Sequence, residues 1–400
     1  MQNQTYRENK TTKLFHKLDK IIFFSSGINY WVNDNGISDL VLKTYQKLSK
    51  VINVAVICFM VAELGSFFTQ HDLTEKQQSD RLLMTFAHFI LYSFTLSLIH
   101  HKRTVTEVLF TLAVELKKDF NDEETERQML KRTRFYALTF VFTCFNALVF
   151  YGIDGLSQVF FADGTFVTMI TVWPEVHDQR IIAEVARVAI YILWWFWMLR
   201  VTTVYLVVLT ITISLSHQYT NLQLYFKSLS EIFEERISQR DKEVKFERAF
   251  KVGIKLHAST IWCTQQVQKT CGAVFSGHII VNITVLVLLL SQMKNAERTL
   301  RNVLSIVATA CSMLFSTGVI MWNAGDITVE ASHLPTAIFL SGWQNSTNMA
   351  SYRIRRLLLI AISQSQKPVV IKSLGFIDLS YQSYLSVSMY GGTDRRELTY

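Results

Sequence analysis

The chain has 400 residues, of which 50% are hydrophobic, 13% aromatic and only 18% charged. Soluble domains carry roughly 25% charged residues, so the balance argues against a typical soluble enzyme and excludes a disordered chain or a disulfide-stapled miniprotein. The net charge of +8 suits nucleic acid, an anionic membrane surface or the cytoplasmic loops of a membrane protein; no basic run with interleaved aromatics lies on a polar stretch, which argues against nucleic acid.

Residues 1–20 are polar and basic, with no apolar run before Ile21, unlike a cleavable signal peptide. A bilayer core about 30 Å thick needs roughly 20 apolar residues as helix. The first such window is 51–70, with Glu63 inside it. The second, 82–101, is free of charge between Arg81 and Lys102, and the third, 135–153, between Arg134 and Asp154. The fourth, 188–214, holds Arg200 and is too long for a buried strand. The fifth and sixth, 270–293 and 302–325, are again free of charge. The seventh, 369–390, follows the break Gln364-Ser365-Gln366-Lys367-Pro368 and contains Lys372 and Asp378. Core helices of soluble proteins are usually amphipathic; 275–291 and 303–323 show no polar face. The expected fold class is all-α, a polytopic seven-transmembrane helical bundle forming one membrane domain.

Lys and Arg set the orientation. The segments 1–50, 102–134, 215–269 and 326–368 hold 29 of them, and the opposite set holds 9. The N-terminus is expected to be cytoplasmic and the C-terminus extracellular, the reverse of a G-protein-coupled receptor. That alternative also lacks its motifs, since Asp154 is followed by Gly155 and Leu156 and no N-P-x-x-Y occurs. A secondary transporter would show matching inverted halves, and none appear. The sequons at Asn3, Asn9, Asn282 and Asn345 fall in cytoplasmic segments or inside a span and read as chance matches. The five cysteines are odd in number and form no CxxC, so neither a zinc site nor a disulfide framework is expected.

Within 215–269, Leu224, Leu229, Ile232, Phe233 and Ile237 recur at helical spacing, as do Val244, Phe246, Phe250, Ile254 and Leu256. This predicts an amphipathic helix pair extending two spans beyond the membrane. Its apolar faces suit either a lipid surface or intersubunit packing. A further short or re-entrant helix is expected over 353–366.

The last third carries a set of short motifs in a fixed order. It reads Gly325-Asp326, Glu330-Ala331-Ser332, Ala337-Ile338-Phe339 and Trp343. Arg355-Arg356-Leu357-Leu358-Leu359, Ser363 to Pro368, Leu379-Ser380 and Tyr384 follow. In this order they resemble the C-terminal signature of insect odorant receptors, and Val252 to His257 resembles that family's hydrophobic-x-x-His element. The chain looks like a ligand-tuned subunit, since the shared co-receptor has a larger second cytoplasmic segment. The resemblance implies a ligand-gated, non-selective cation channel in the plasma membrane of a sensory neuron. It would be a heterotetramer with the co-receptor, opened by a small volatile organic ligand. The ligand would bind in the outer half of the second, third, fourth and sixth spans, four copies of the seventh span would line one pore, and the cytoplasmic ends of spans four to seven would hold the tetramer together.

An apolar ligand needs aromatic and aliphatic walls with few polar groups. Span two offers Met84, Phe86, His88 and Phe89; span three Asn146, Phe150 and Tyr151; span four Tyr191, Trp194 and Trp195; span six Ile306, Thr309, Ala310 and Met313. Aromatics in spans also serve as lipid-facing belts. An imidazole in lipid needs a partner, and for His88 the candidates are Asn146, Tyr151 or a ligand carbonyl or hydroxyl. Glu63 is a possible partner for Arg200. Gln382, Ser386 and Met389 share a face of span seven, continued by Thr393, and make a weakly polar stripe for a pore or for helix packing. The chain departs from the family after Tyr390, where Gly391-Gly392-Thr393-Asp394-Arg395-Arg396-Glu397-Leu398-Thr399-Tyr400 replaces an apolar run, and the family's narrowest pore positions fall there. Enzyme motifs are absent, and no catalytic residue, metal site or cofactor is expected.

Overall fold

The computed structural model describes residues 6, 8–31, 39–161, 164–295, 300–347 and 350–390. Asn9 opens α1 (Lys10–Ser26) with a capping box: its side chain accepts from Thr12 N, and the Thr12 hydroxyl accepts from Asn9 N. Gly27 stops the helix at φ +76°, which L side chains rarely adopt. α2 (Asp39–Thr69) and α3 (Glu75–His100) follow, the latter capped by Thr74 and Gln77. α4 (Lys102–Phe110), a π-helical turn (Thr111–Glu115) and α5 (Leu116–Asp119) lead into α6 (Glu123–Phe161). α7 (Ile181–Ser228), a 3-10 turn (Leu229–Glu234) and α8 (Gln239–Asn295) are next, then α9 (Leu300–Ser332), α10 (Leu334–Phe339), a 3-10 turn (Trp343–Asn345) and α11 (Ala350–Ser365). Strands β1 (Lys372–Ser373) and β2 (Ile377–Asp378) pair antiparallel before α12 (Tyr381–Tyr390).

Six of these helices are long and apolar enough to cross a membrane. α7 is the axis. In its most apolar window 89% of residues are buried, against 28% for α2 and 18% for α6. Every residue from Arg200 to Ser216 is buried. An apolar helix with no polar side belongs inside. The outer helices turn large side chains outward instead, Phe142 and Phe160 of α6 and Phe68 of α2 among them. Lipid removes the cost that water would impose there.

α7 and α8 have 48 and 57 residues, roughly 70 and 85 Å of helix, well beyond a bilayer core. Their extensions form an antiparallel hairpin, closed by the 3-10 turn and by Ser238, which caps α8 through Asp241 N at 3.2 Å. Two environments were expected for the apolar faces of 215–269, a lipid surface or another subunit. Much of that surface is instead covered within the chain. Phe246 stacks on Phe250, Phe226 meets Phe250 edge-on at 5.5 Å, and Phe233 tilts against Phe246 at 5.2 Å. Ile237 and Val244 stay exposed. Antiparallel helices joined by a short turn meet face to face, and the sequence spacing alone does not reveal that.

The seventh window departs from expectation. The sequence predicts one span over 369–390, but its first half is the two-stranded hairpin, with Leu374 and Gly375 at positive φ. Gln268 of α8 clamps β1, accepting from Lys372 N at 2.7 Å and donating to Lys372 O at 2.9 Å. Lys372 and Asp378 face each other across the ladder. Both charges resist burial in hydrocarbon, so the helix begins only at Tyr381.

Phe250 is fully buried at the centre of the α7–α8 hairpin. Phe250→Ala is expected to lower stability by about 3–5 kcal/mol, read as an earlier thermal unfolding midpoint in detergent. Ile237→Ala, on the exposed side, should change it little; equal shifts would mean the hairpin interior is not packed as described.

Candidate functional site

Helical geometry sorts the expected ligand residues. On α3, Met84 and His88 lie four apart and point inward, while Phe86 and Phe89 are 36% and 41% exposed. On α6, Tyr151 packs inward and Phe150 is 44% exposed. Phe86, Phe89 and Phe150 therefore do not converge with the others. Asn146, Ile306 and Thr309 are half-buried, and Ala310 and Met313 pack against the core.

The convergent residues build an aromatic nest between α6 and α7. Tyr151 meets Trp194 edge-on at 5.5 Å, Tyr191 meets Trp195 at 6.1 Å, and Phe145 stacks on Trp195 at 5.4 Å. The Tyr191 hydroxyl donates to Leu148 O at 2.9 Å. A Cβ on Gly152 would stand 2.4 Å from that hydroxyl, so only glycine admits the ring there. Residues 164–180 fold over this end: Phe166 lies edge-on to Tyr191 at 5.7 Å, Val172 N donates to Ala62 O, and Gln70 donates to Thr171 O and Pro174 O.

His88 does not pair with Asn146 or Tyr151. Its Nδ1 lies 2.8 Å from both carboxylate oxygens of Glu63 on α2, and its Nε2 lies 3.0 Å from Trp194 Nε1. An indole nitrogen only donates. Nε2 therefore accepts, the ring proton sits on Nδ1, and Nδ1–H donates to Glu63. Phe59 and Trp197 close around the ring. With both nitrogens occupied, His88 is sealed into a tie between α2, α3 and α7.

The possible Glu63–Arg200 pair is not formed. Arg200 bonds the Asn53 amide oxygen and donates to Ser49 O at 3.2 Å and Ser49 Oγ at 3.1 Å. Its partners on α2 lie ten and more residues before Glu63, about 15 Å along the helix.

A third tie escaped sequence reasoning. Tyr205 of α7 bonds His278 of α8 at 2.9 Å, His278 bonds Asn282 at 2.8 Å, and Asn282 bonds Thr317 of α9. The available signal was His278 and Asn282 standing four apart in an otherwise apolar stretch.

A groove of about 370 Å³ opens between α3 and α8, lined by Glu75, Lys76, Gln78, Ser79, Leu82, Ser291 and Gln292. None of the expected ligand residues lines it. Beside it, Lys76 pairs with Asp154 at 2.7 Å and Gln292 donates to Asp80 at 3.0 Å.

On α12, Gln382 is exposed, Ser386 and Met389 lie one and two turns further along the same helix, and Thr393 lies outside the described residues. α12 packs on α9. Tyr384 meets Trp322 at 5.5 Å, the Tyr381 hydroxyl donates to Asp326, and Asp326 also pairs with Arg132 of α6. Among the described residues no cluster of three or more His, Cys, Asp or Glu is placed to hold a metal ion.

Residues 79–389 match the family model described as 7tm Odorant receptor. The fold is similar to the solved structure of the insect olfactory receptor OR5 from Machilis hrabei. The TM-score is 0.77 at 11% identity, covering 95% of this chain and 96% of that one. The same receptor in complex with eugenol aligns with a TM-score of 0.76 at 11% identity and the same coverage. Curated protein sequences give no significant match.

Trp194→Phe keeps an aromatic ring, though a smaller one, and removes the donor from His88 Nε2. Leaving that buried acceptor unpaired is expected to cost about 1–3 kcal/mol, measured as a thermal shift in detergent. Phe89→Ala, on the outer face, should cost about 0.5 kcal/mol or less. A Trp194→Phe protein as stable as wild type would show that the tie does not hold the bundle.

Proposed function

The chain belongs to the 7tm odorant receptor family, and on that premise we propose that it is a ligand-tuned subunit of an odorant-gated, non-selective cation channel. The observation that carries this reading is the match over 79–389 together with an aromatic nest inside the bundle. In a multi-pass membrane protein an aromatic-lined region of this kind suits a small volatile molecule. Eugenol, a phenol, occupies the similar Machilis hrabei receptor.

The proposed ligand walls are Tyr151, Tyr191, Trp194 and Trp195 on one side and Ile306, Thr309, Ala310 and Met313 on the other. Met84 closes the floor. His88 supports the site from behind, because its two nitrogens are already engaged. The subunit sits in the plasma membrane of a sensory neuron; its N-terminus is cytoplasmic, an orientation supported by the excess of Lys and Arg in 1–50, 102–134, 215–269 and 326–368. Its partner is the family co-receptor in a heterotetramer, and the pore stripe begins at Gln382 of α12.

α9 is the lever between the two sites. It carries the ligand stripe at 306–313, and nine residues beyond Met313 it carries Trp322 against Tyr384 of α12. That distance is about 14 Å of rigid helix. A ligand that favours one position of α9 over another shifts α12 with it, by no more than its differential affinity for the two states. Asp326 ties α6, α9 and α12 through Arg132 and Tyr381.

The test is whole-cell current from cells expressing this chain alone or with the co-receptor, under a volatile panel and with G-protein signalling blocked. Current within milliseconds of ligand, present only with the co-receptor, is the expected result. Current that disappears under the block would sink the channel reading. In the same cells, Asp326→Asn is expected to shift the half-maximal ligand concentration several-fold while surface expression holds; no shift would remove Asp326 from the coupling.

A further inference from the structure

The hydrogen bonds around Asn282 have a direction. Thr317 donates its hydroxyl hydrogen to Met313 O at 2.8 Å, so its oxygen accepts from the Asn282 amide nitrogen. The same nitrogen lies 2.8 Å from His278 Nε2, which accepts the second amide hydrogen. The imidazole proton then sits on Nδ1 and faces the Tyr205 hydroxyl oxygen at 2.9 Å. Both amide hydrogens are committed and Oδ1 remains. Asn282 is 3% exposed, and Oδ1 has no hydrogen-bond partner among the described residues.

Position makes this oxygen unusual. Asn282 stands twelve residues from Thr270 and eleven from Met293, near the middle of its span and about 17 Å from either end. No water shell exists at that depth in lipid, and an unpaired acceptor there is unfavourable. Thr317 continues the α9 face that carries Ile306, Ala310 and Met313, so the amide lies at the deep end of the proposed ligand stripe.

We propose that Asn282 Oδ1 is the polar recognition point of the ligand site, and that it selects ligands bearing a hydroxyl or N–H donor over matched ethers and ketones. The inference rests on the receptor reading above. It differs from the expectation attached to His88, whose nitrogens are closed by Glu63 and Trp194. Tyr205, His278 and Thr317 are positioning residues: they hold the amide so that its oxygen faces the ligand. A site built to accept from a donor discriminates strongly, because the analogue lacking the donor leaves the acceptor unpaired.

The experiment compares matched pairs on the wild-type chain with its co-receptor: a phenol with its methyl ether, and a secondary alcohol with the corresponding ketone. The donor member is expected to be at least about tenfold more potent in each pair. In Asn282→Leu, with surface assembly checked by labelling, the preference should collapse; a preference that survives overturns the proposal. Equal potencies within the pairs, as a resident water on Oδ1 would give, overturn the proposal. So does a preference for ether or ketone, which would place the amide nitrogen toward the ligand. If Asn282→Leu fails to reach the surface, the wild-type pair ratios still decide. Silence of the wild-type chain with confirmed co-assembly overturns the receptor reading and this site with it, whereas ligand currents with flat pair ratios overturn this site alone.

Discussion

Hydrocarbon offers no hydrogen bonds, so a polar side chain buried in the spans must find its partner inside the bundle. The central helix feels this constraint most, because from Arg200 to Ser216 every side chain is covered by its neighbours. α7 meets it with three ties. Trp194 completes the Glu63–His88 pair, Arg200 reaches Asn53 and Ser49, and Tyr205 opens the chain through His278 and Asn282 to Thr317. Each tie joins α7 to a different set of neighbours, and together they hold α2, α3, α8 and α9 in register around it. In lipid, helices associate through close packing and interhelical hydrogen bonds together, and these ties add directional contacts to the packing.

The same economy operates where α9 meets α12. Gly325, Asp326, Ser380 and Tyr384 are scattered over sixty positions as isolated motifs, yet they share one contact. A Cβ on Gly325 would stand 3.4 Å from the Ser380 backbone, so the helix start and α9 approach closely. Asp326 takes Tyr381 and Arg132, and Tyr384 rests on Trp322. Glu330, another member of the signature, accepts from Thr220 and Gln223 of α7. These members of the signature therefore serve packing: Gly325, Asp326, Ser380 and Tyr384 where α9 meets α12, and Glu330 where α9 meets α7.

Some of the candidate site was legible beforehand. Tyr151, Tyr191, Trp194 and Trp195 cluster because helical spacing puts them on facing sides of α6 and α7. Phe86, Phe89 and Phe150 were indistinguishable from them by residue type, since an aromatic suits a pocket and a lipid face equally well. Only the rotation of each helix about its axis separates the two groups, and that rotation is set by neighbours. His88, Glu63 and Arg200 could be recognised as groups in need of partners. Which partner each took depended on how far along α2 each meets its neighbour.

Apolar length, by itself, determined a helical membrane bundle, because hydrophobic transfer and helical rise are local properties of the chain. The charges Lys372 and Asp378 inside 369–390 were visible there as well. The hairpin that replaces its first half, the mutual burial of the two extensions, and the pairing of Glu63 with His88 were decided only in three dimensions. Each depends on residues thirteen to over a hundred positions apart meeting at one depth, and a one-dimensional pattern carries no record of which group arrives there.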